Sequence, residues 1–417
     1  MTATRGSVAG SGVPALPSGH PALRRLVATD PDAFARDHWG VEPLLTRSAD
    51  LPSSFDDLFS EAAVDELVSR RGLRTPFLRM AKGGSTLTDR RFTRSGGTGA
   101  GIADQASDED VLREFADGAT LVLQGLHRTW EPVVDFAQQL AADLGHPTQV
   151  NAYITPPQNT GFSDHYDVHD VFVLQISGEK RWRIRPPVHP RPLRDQPWTD
   201  RREAVELAAQ AEPLVETTLA PGDCLYLPRG YLHSATALGG VSTHLTIGVH
   251  TWNRHHLAQE LVSAALARAA QDPEVRASLP MGADLSDPAA LGADVELVRA
   301  ALARALEDVD AADLTAAMVA ASRGSQRAAP MGPLAQHALA SSLRDDTALE
   351  VRPHLAPTLT PASSGGAVLR SRAGTVRVDE GDVAAVRSFL EVGTATAGHL
   401  GLDLARRLVL AGIAVAA

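Results

Sequence analysis

The chain has 417 residues, of which 44% are hydrophobic, and 39 Lys and Arg against 50 Asp and Glu give a formal net charge of −11. A single cysteine, Cys224, excludes a disulfide framework and a multi-cysteine zinc site within one chain, and no stretch reaches the roughly 20 apolar residues of a membrane helix. The acidic balance disfavours nonspecific nucleic-acid binding and suits a basic protein partner; with no signal-like leader, the expected location is cytoplasmic.

Residues 1–20 are mostly Gly, Ser, Pro and Ala without periodicity and read as a disordered tail. From 21 to 110 the apolar spacing is mainly helical, as in Phe55, Leu58, Phe59, Ala62 and Val64, with a Gly-rich interruption at SGGTGAGIAD. Two further helix-like stretches, DEDVLREFADG and TWEPVVDFAQQLAADLG, flank the apolar run TLVLQGL. Between 149 and 250 short β-prone runs alternate with Pro and Gly turns, which predicts an antiparallel sandwich or barrel. Residues 254–340 are Ala/Leu-rich and helical. The last segment, 341–417, places two helical stretches after a β-prone piece, an order compatible with a winged-helix-like module. That segment holds eight arginines and eight acidic residues, so it lacks the basic footprint of a DNA reader.

Two motifs carry chemistry. In GFSDHYDVHDVFVLQISG, His165 and Asp167 stand two residues apart, a spacing that puts both on one face of a strand. An imidazole with a carboxylate suits Fe(II), Mn(II) or Zn(II), although H-x-D alone is a weak signal in a chain with 15 histidines. The second motif, PGDCLYLPRGYLHSA, spaces Gly222, Pro228, Gly230 and His233 so that a Pro-Arg-Gly turn presents His233 at the start of a strand. Two histidines and one carboxylate on one side of a metal leave positions open for a bidentate cosubstrate and oxygen.

With these motifs the string NAYITPPQNTGFSDHYDVHDVFVLQISGEKRWRI resembles the JmjC-domain oxygenases of the ribosomal oxygenase type, within the cupin fold. GATLVLQGLHRTWEP upstream and STHLTIGVHTWN downstream extend the resemblance over about Asp108 to Asn253. It implies an α+β protein with a double-stranded β-helix core over 111–253, N-terminal helices, a helical dimerisation-like region and the C-terminal winged-helix-like module, assembled as a homodimer. It also implies an Fe(II)- and 2-oxoglutarate-dependent dioxygenase using O2, with His165, Asp167 and His233 as iron ligands. Lys180 falls where the family places the basic partner of 2-oxoglutarate, and Asn151 and Tyr153 fall on positions lining its active site. Thr246 and His244 lie on one face of a late strand, where either one could face the cosubstrate or serve packing. The implied substrate is an Arg or His side chain of a ribosomal or other basic protein. A demethylase and a non-enzymatic metal-binding cupin with an assembly or regulatory role are the alternatives.

Other residues read as structural. His169 shares the parity of His165 and Asp167 but matches no family ligand, Trp182 alternates as core, and Cys224 reads as a small buried hydrophobe. Lys180 and Lys82 are the only lysines among 39 basic residues. Lys82, beside two glycines, reads as a solvated loop residue.

Overall fold

The computed structural model describes residues 19–159 and 163–417, so the tail expected at 1–20 lies almost entirely outside the described residues. The chain divides after Thr251 into two compact units. Among the described residues no helix is long and apolar enough to cross a membrane.

In the first unit the Asp143 carboxylate accepts the backbone N–H groups of Ala22 and Leu23 at 2.8 and 3.0 Å, which ties that segment to the end of the helix Glu131–Leu144. Helix α1 (Pro31–Asp37) begins on an Asp30 cap with proline in its first turn, and it buries Phe34 edge-on to Tyr226. The short strand β1 (Leu44–Thr46) follows. Helix α2 (Glu61–Arg70) turns Ala63, Val64, Leu67 and Val68 inward, the stripe a half-buried helix requires. Then come β2 (Leu78–Lys82) and β3 (Ser85–Thr86), the small ribbon β4 (Thr93–Arg94) and β5 (Gln105–Ala106), and α3 (Asp108–Ala116) capped by Ser107. Strand β6 (Thr120–Leu123) leads through α4 (Leu126–Thr129) into α5 (Glu131–Leu144), which stops at a left-handed Gly145.

The remaining strands build the roll: β7 (Thr148–Thr155), β8 (Asp170–Arg185), β9 (Val215–Leu219), β10 (Cys224–Leu227) and β11 (Leu232–Val249), with α6 (Arg202–Ala208) between β8 and β9. The sheet order is β1-β10-β8-β11-β7-β6-β2-β3, with β9 also on β8, and every pairing is antiparallel. Strand β8 pairs β10 with its first half and β9 with its second, and β11 follows it along nearly its whole length. Both long strands break register where Gly178 meets Val241. Gly178 has φ +62°, and a Cβ there would come within 2.1 Å of the Val241 carbonyl oxygen. Only glycine permits that approach.

The break reverses side-chain parity. Val171 and Val173 face the interior of the roll before it, and Lys180 and Trp182 do so after it; on β11, His233 and Ala235 give way to His244 and Thr246. Phe172 and Leu174 point the other way, into the large core shared with α1, α2 and α5. This architecture is the α+β, cupin-type arrangement expected from the sequence. One difference lies in residues 21–110, read as mainly helical, which also deliver β1, β2 and β3 to the main sheet. Those strands span five residues at most, too short for an alternation signal, and their register is set by pairing with β10 and β6.

The second unit opens with α7 (Arg254–Ala269), started by a capping box between Asn253 and His256. Helix α8 (Gly292–Glu307) packs on α7 through Ala265, Ala269, Ala301 and Ala305, while α9 (Ala311–Ser325) has no buried residue. Helix α10 (Pro333–Ser342) shares the C-terminal core, with Gln336 Nε2 donating to the Val409 carbonyl at 2.9 Å. The packing therefore joins α10 to the segment expected to begin at 341. There β12 (Ala348–Val351), the meander β13 (Thr358–Pro361), β14 (Ala367–Ser371) and β15 (Gly374–Val378), and α11 (Val383–Val392) precede β16 (Thr394–Thr396). Helices α12 (Ala397–Leu400) and α13 (Leu402–Leu410) and strand β17 (Ala414–Ala416) finish the chain, with β12 between β16 and β17.

Candidate metal and cosubstrate site

His165 and Asp167 do not lie on a regular strand. They occupy the loop before β8, where His165 forms an isolated bridge to His233. The bridge consists of His165 N–H to the His233 carbonyl at 3.2 Å and His233 N–H to the His165 carbonyl at 2.8 Å, and Gly230 N–H donates to the Asp167 carbonyl at 3.0 Å. The Pro-Arg-Gly turn thus grips the H-x-D loop by its backbone. Gly230 is required there: it has φ +93°, and a Cβ would press on the His189 carbonyl and the Pro192 ring at under 3 Å.

The three side chains converge, with one ligand atom from each of His165, Asp167 and His233 within 4.8 Å of the others. His233 Nε2 stands 3.8 Å from Asp167 Oδ2. His165 Nδ1 is 2.7 Å from the Ser163 carbonyl, and His233 Nδ1 is 3.1 Å from the Tyr231 carbonyl. A carbonyl only accepts, so Nδ1 carries the proton in each ring and Nε2 is the nitrogen that would bind a metal. Burial, and then the neighbouring His165, lower the His233 pKa to about 4, which keeps it neutral. Burial opposes ionisation of Asp167, but the imidazoles of His169, His233 and His165 and the Arg79 guanidinium outweigh it and hold the carboxyl below its usual range. Two imidazoles and one carboxylate are the donor set a divalent first-row metal needs, so the residues present fit Fe(II).

Deeper in the same cavity sits Lys180, 3% exposed. Its Nζ donates to Thr155 Oγ1 of β7 at 3.1 Å and lies 3.5 Å from His244 Nδ1 of β11. No carboxylate among the described residues pairs with it, and burial lowers its pKa to about 7. A buried amine among neutral groups gains from pairing with an anion, because a charge-assisted contact offsets the cost of burying its protonated form. His244, lowered well below its ordinary value by burial and then by Lys180 and His233, stays neutral beside it.

The structure brings His165, Asp167, His233, Lys180, Tyr153 and Thr246 around one cavity. Tyr153 stacks on His244 at 5.0 Å between ring centroids, and its hydroxyl shares hydrogen bonds with Arg79 and Asn151. Asn151 does not line the cavity: its Oδ1 accepts from Gly125 N–H at 3.1 Å, so it braces Tyr153 from behind. Trp182 is core, as expected, and it also forms a cavity wall between His233 and His244. His169 stacks on His250 and packs against Gly248; it is not one of the three converging ligands, although its imidazole acts on the Asp167 carboxyl. Cys224 is buried, and burial together with Asp223 pushes its thiol far above the range of a nucleophile. Lys82 ends β2 in an exposed ion pair with Asp117 at 2.6 Å rather than in a loop.

Arg79 and Thr155 escaped sequence reasoning. Arg79 lies in the five-residue strand LRMAK, and Thr155 ends β7, where nothing but the folded pairing brings it to Lys180.

Residues 128–257 match a family described as JmjC domain. The chain is 32% identical over 263 residues to ribosomal oxygenase 1 of Gallus gallus, covering 62% of this chain and 42% of that protein. It is 28% identical over 267 residues to the bifunctional lysine-specific demethylase and histidyl-hydroxylase NO66 of Culex quinquefasciatus, covering 61% and 38%. The chain therefore spans less than half the length of these curated relatives. In fold it is similar to the Escherichia coli ribosomal oxygenase YcfD, with a TM-score of 0.54 at 15% identity over 94% of this chain and 99% of that one. A second structure of YcfD, in complex with cobalt and 2-oxoglutarate, superposes with a TM-score of 0.53 at 16% identity, covering 94% of this chain and 99% of that one.

Proposed function

We propose that the chain is a JmjC-domain oxygenase of the ribosomal oxygenase type, an Fe(II)- and 2-oxoglutarate-dependent dioxygenase that hydroxylates an Arg or His side chain of a basic, ribosomal protein, a reading supported by the match over residues 128–257 and by the ribosomal oxygenase relatives. The observation that carries this reading is the pairing, inside one roll, of the His165, Asp167 and His233 donor set with the buried Lys180 amine, which has no carboxylate partner among the described residues. When bound, Fe(II) supplies the oxidative chemistry: O2 and 2-oxoglutarate become succinate, CO2 and one oxygen atom inserted into a substrate C–H bond.

The chain's own residues supply placement. His165, Asp167 and His233 would hold the metal from one side, with both Nε2 atoms kept unprotonated by the carbonyls behind them. Lys180, with Thr155 and His244, would receive the distal carboxylate of 2-oxoglutarate as an ammonium. Val171, Val173 and Trp182 wall the cavity with apolar surface and keep water from the reacting end.

The net charge of −11 favours a basic target. Leu257, Val262 and Leu266 of α7 and Val295 and Val298 of α8 are exposed, which supports a second copy of this chain as the partner of that helical region. The order of β14, β15 and α11 to α13 supports the winged-helix-like reading of the last module, and a single thiol, unpaired and buried, fits a reducing cytoplasm. The similarity to the bifunctional demethylase and hydroxylase of Culex quinquefasciatus favours a second reading, lysine demethylation, which needs the same metal chemistry on an N-methyl carbon. Mass spectrometry of ribosomal proteins from cells with and without the gene separates them. Gain of one oxygen atom is the expected result, and loss of a methyl group would replace hydroxylation by demethylation.

Lys180 gives a pH signature. Its pKa is near 7 in the ligand-free chain, and the groups facing it, Thr155 and His244, are neutral. Binding a dicarboxylate requires the ammonium, so above about pH 7 binding must take up a proton and affinity falls, by up to about tenfold per pH unit. Calorimetric titration of 2-oxoglutarate into the Mn(II)-loaded protein, in buffers of different ionisation enthalpy, should show proton uptake approaching one at about pH 8.5 and near zero at about pH 6. Uptake that does not change with pH would contradict the depressed pKa.

A further inference from the structure

The metal ligands come from two segments that the sheet does not hold together by a ladder. His233 stands in β11, while His165 and Asp167 stand in a loop tied to it by the few backbone bonds given above. Arg185, the last residue of β8, spans both. In register it lies opposite Leu232, next to His233. Its Nη1 donates to Asp164 Oδ1 at 2.6 Å, immediately before His165, and its Nε donates to the Ala211 carbonyl at 2.9 Å. The two side chains are 8% and 24% exposed, so the ion pair is largely out of water.

We propose that Arg185 is a positioning residue for the metal centre: through its ion pair with Asp164 it fixes the spacing between the two ligand-bearing segments and so sets the affinity for a divalent metal. The inference rests on the reading that His165, Asp167 and His233 hold a metal. Two physical effects act together. The charge-assisted bond restrains a loop that otherwise has little secondary structure, so less ordering remains to be done when the metal arrives. Arg185 also engages the carboxylate of Asp164, which without it would be an unpaired, half-buried anion one residue from His165, able to turn toward the metal as a competing ligand. Conversely, Asp164 neutralises a guanidinium that would otherwise repel a dication. Each partner left alone is therefore worse than neither, and a generic packing role does not produce that pattern.

The same contact reaches the insertion between β8 and β9. Besides the Ala211 carbonyl held by Arg185, the Tyr166 hydroxyl donates to the Gln196 carbonyl at 3.0 Å, and Trp198 lies 6.4 Å from the His165 ring. The insertion and the ligand loop thus share one set of anchors.

The test is Co(II) binding to the full chain without 2-oxoglutarate, read by the visible ligand-field spectrum and by competition with a chelator. Arg185→Gln and Asp164→Asn should each weaken Co(II) binding by about 10- to 100-fold and alter the spectrum, the range in which outer-shell partners act. The double variant should bind better than either single variant, and Arg185→Lys should fall between wild type and Arg185→Gln. If Arg185→Gln does not fold, as judged by thermal unfolding, the conservative Asp164→Asn variant with Arg185→Lys carries the test. Wild-type affinity in Asp164→Asn, or losses that simply add in the double variant, would overturn the inference. One Co(II) per wild-type chain, lost in Asp167→Ala, keeps the reading of the triad separate from this one, and a wild type that binds no Co(II) would overturn both.

Discussion

Asp167→Ala is expected to abolish turnover and to weaken divalent-metal binding by more than about 100-fold, beyond the loss typical of an outer-shell partner. The reason is charge. His165 and His233 offer imidazole nitrogen, and Asp167 is the one carboxylate among the three converging ligands. The two imidazoles alone form an incomplete site with no compensation for a dication. The substitution should leave the fold intact, because the Asp167 side chain is 30% exposed and its backbone carbonyl, which accepts from Gly230, is unchanged. Co(II) titration together with succinate release measures both effects. Retained Co(II) affinity in a folded Asp167→Ala chain would remove the carboxylate from the ligand set.

Lys180→Met should separate binding from stability. The variant loses the ammonium that would pair the distal carboxylate, so the 2-oxoglutarate requirement should rise by about 100-fold or more, a loss on the scale of a buried, charge-assisted contact left unmade. Stability should move the other way. With its pKa depressed to about 7 in the folded chain, Lys180 binds fewer protons there than in the unfolded chain between about pH 7 and 10.4. Stability therefore rises with pH across that window, and the full cost of burying the ammonium is present below it. Removing the charge while filling the volume should stabilise the ligand-free chain at about pH 6 to 7 by a few kcal/mol at most, and by less at higher pH. Denaturant unfolding at two pH values, beside 2-oxoglutarate binding to the Mn(II)-loaded protein, checks both halves. Unchanged cosubstrate affinity would refute the assignment of Lys180.

The chemistry was legible in the sequence because it is written in short spacings. H-x-D and the Pro-Arg-Gly turn before His233 are local patterns that folding only has to bring to one place, whereas Lys180 is picked out by the family resemblance of the string around it. What sequence could not supply depends on long-range pairing. Alternation along β8 does not say which face Lys180 takes, since the register break at Gly178 inverts parity between Val173 and Lys180. The inversion on β11 between Ala235 and His244 follows from the same break. His165 and Asp167 looked like strand neighbours but converge from a loop, because backbone bonds to His233 and Gly230 replace a ladder. Arg79, Thr155 and the Arg185–Asp164 pair carry no motif at all. Each is an ordinary residue whose position becomes informative only when strands distant in sequence are laid side by side. Of the two lysines, Lys180 occupies the buried site, and Lys82 proves to be half of an exposed ion pair with Asp117, a contact of small energetic weight.

The central claim is that metal, 2-oxoglutarate and a protein substrate meet in the roll bounded by His165, Asp167, His233 and Lys180. The most direct measurement is the ratio of succinate formed to oxygen atoms incorporated when the purified chain, Fe(II), 2-oxoglutarate and O2 are incubated with a mixture of ribosomal proteins. Fe(II)-dependent succinate and a protein product heavier by one oxygen atom are expected in equal amounts, both absent with Asp167→Ala. Neither succinate nor oxygen incorporation, from a chain shown to bind one Co(II), would contradict it.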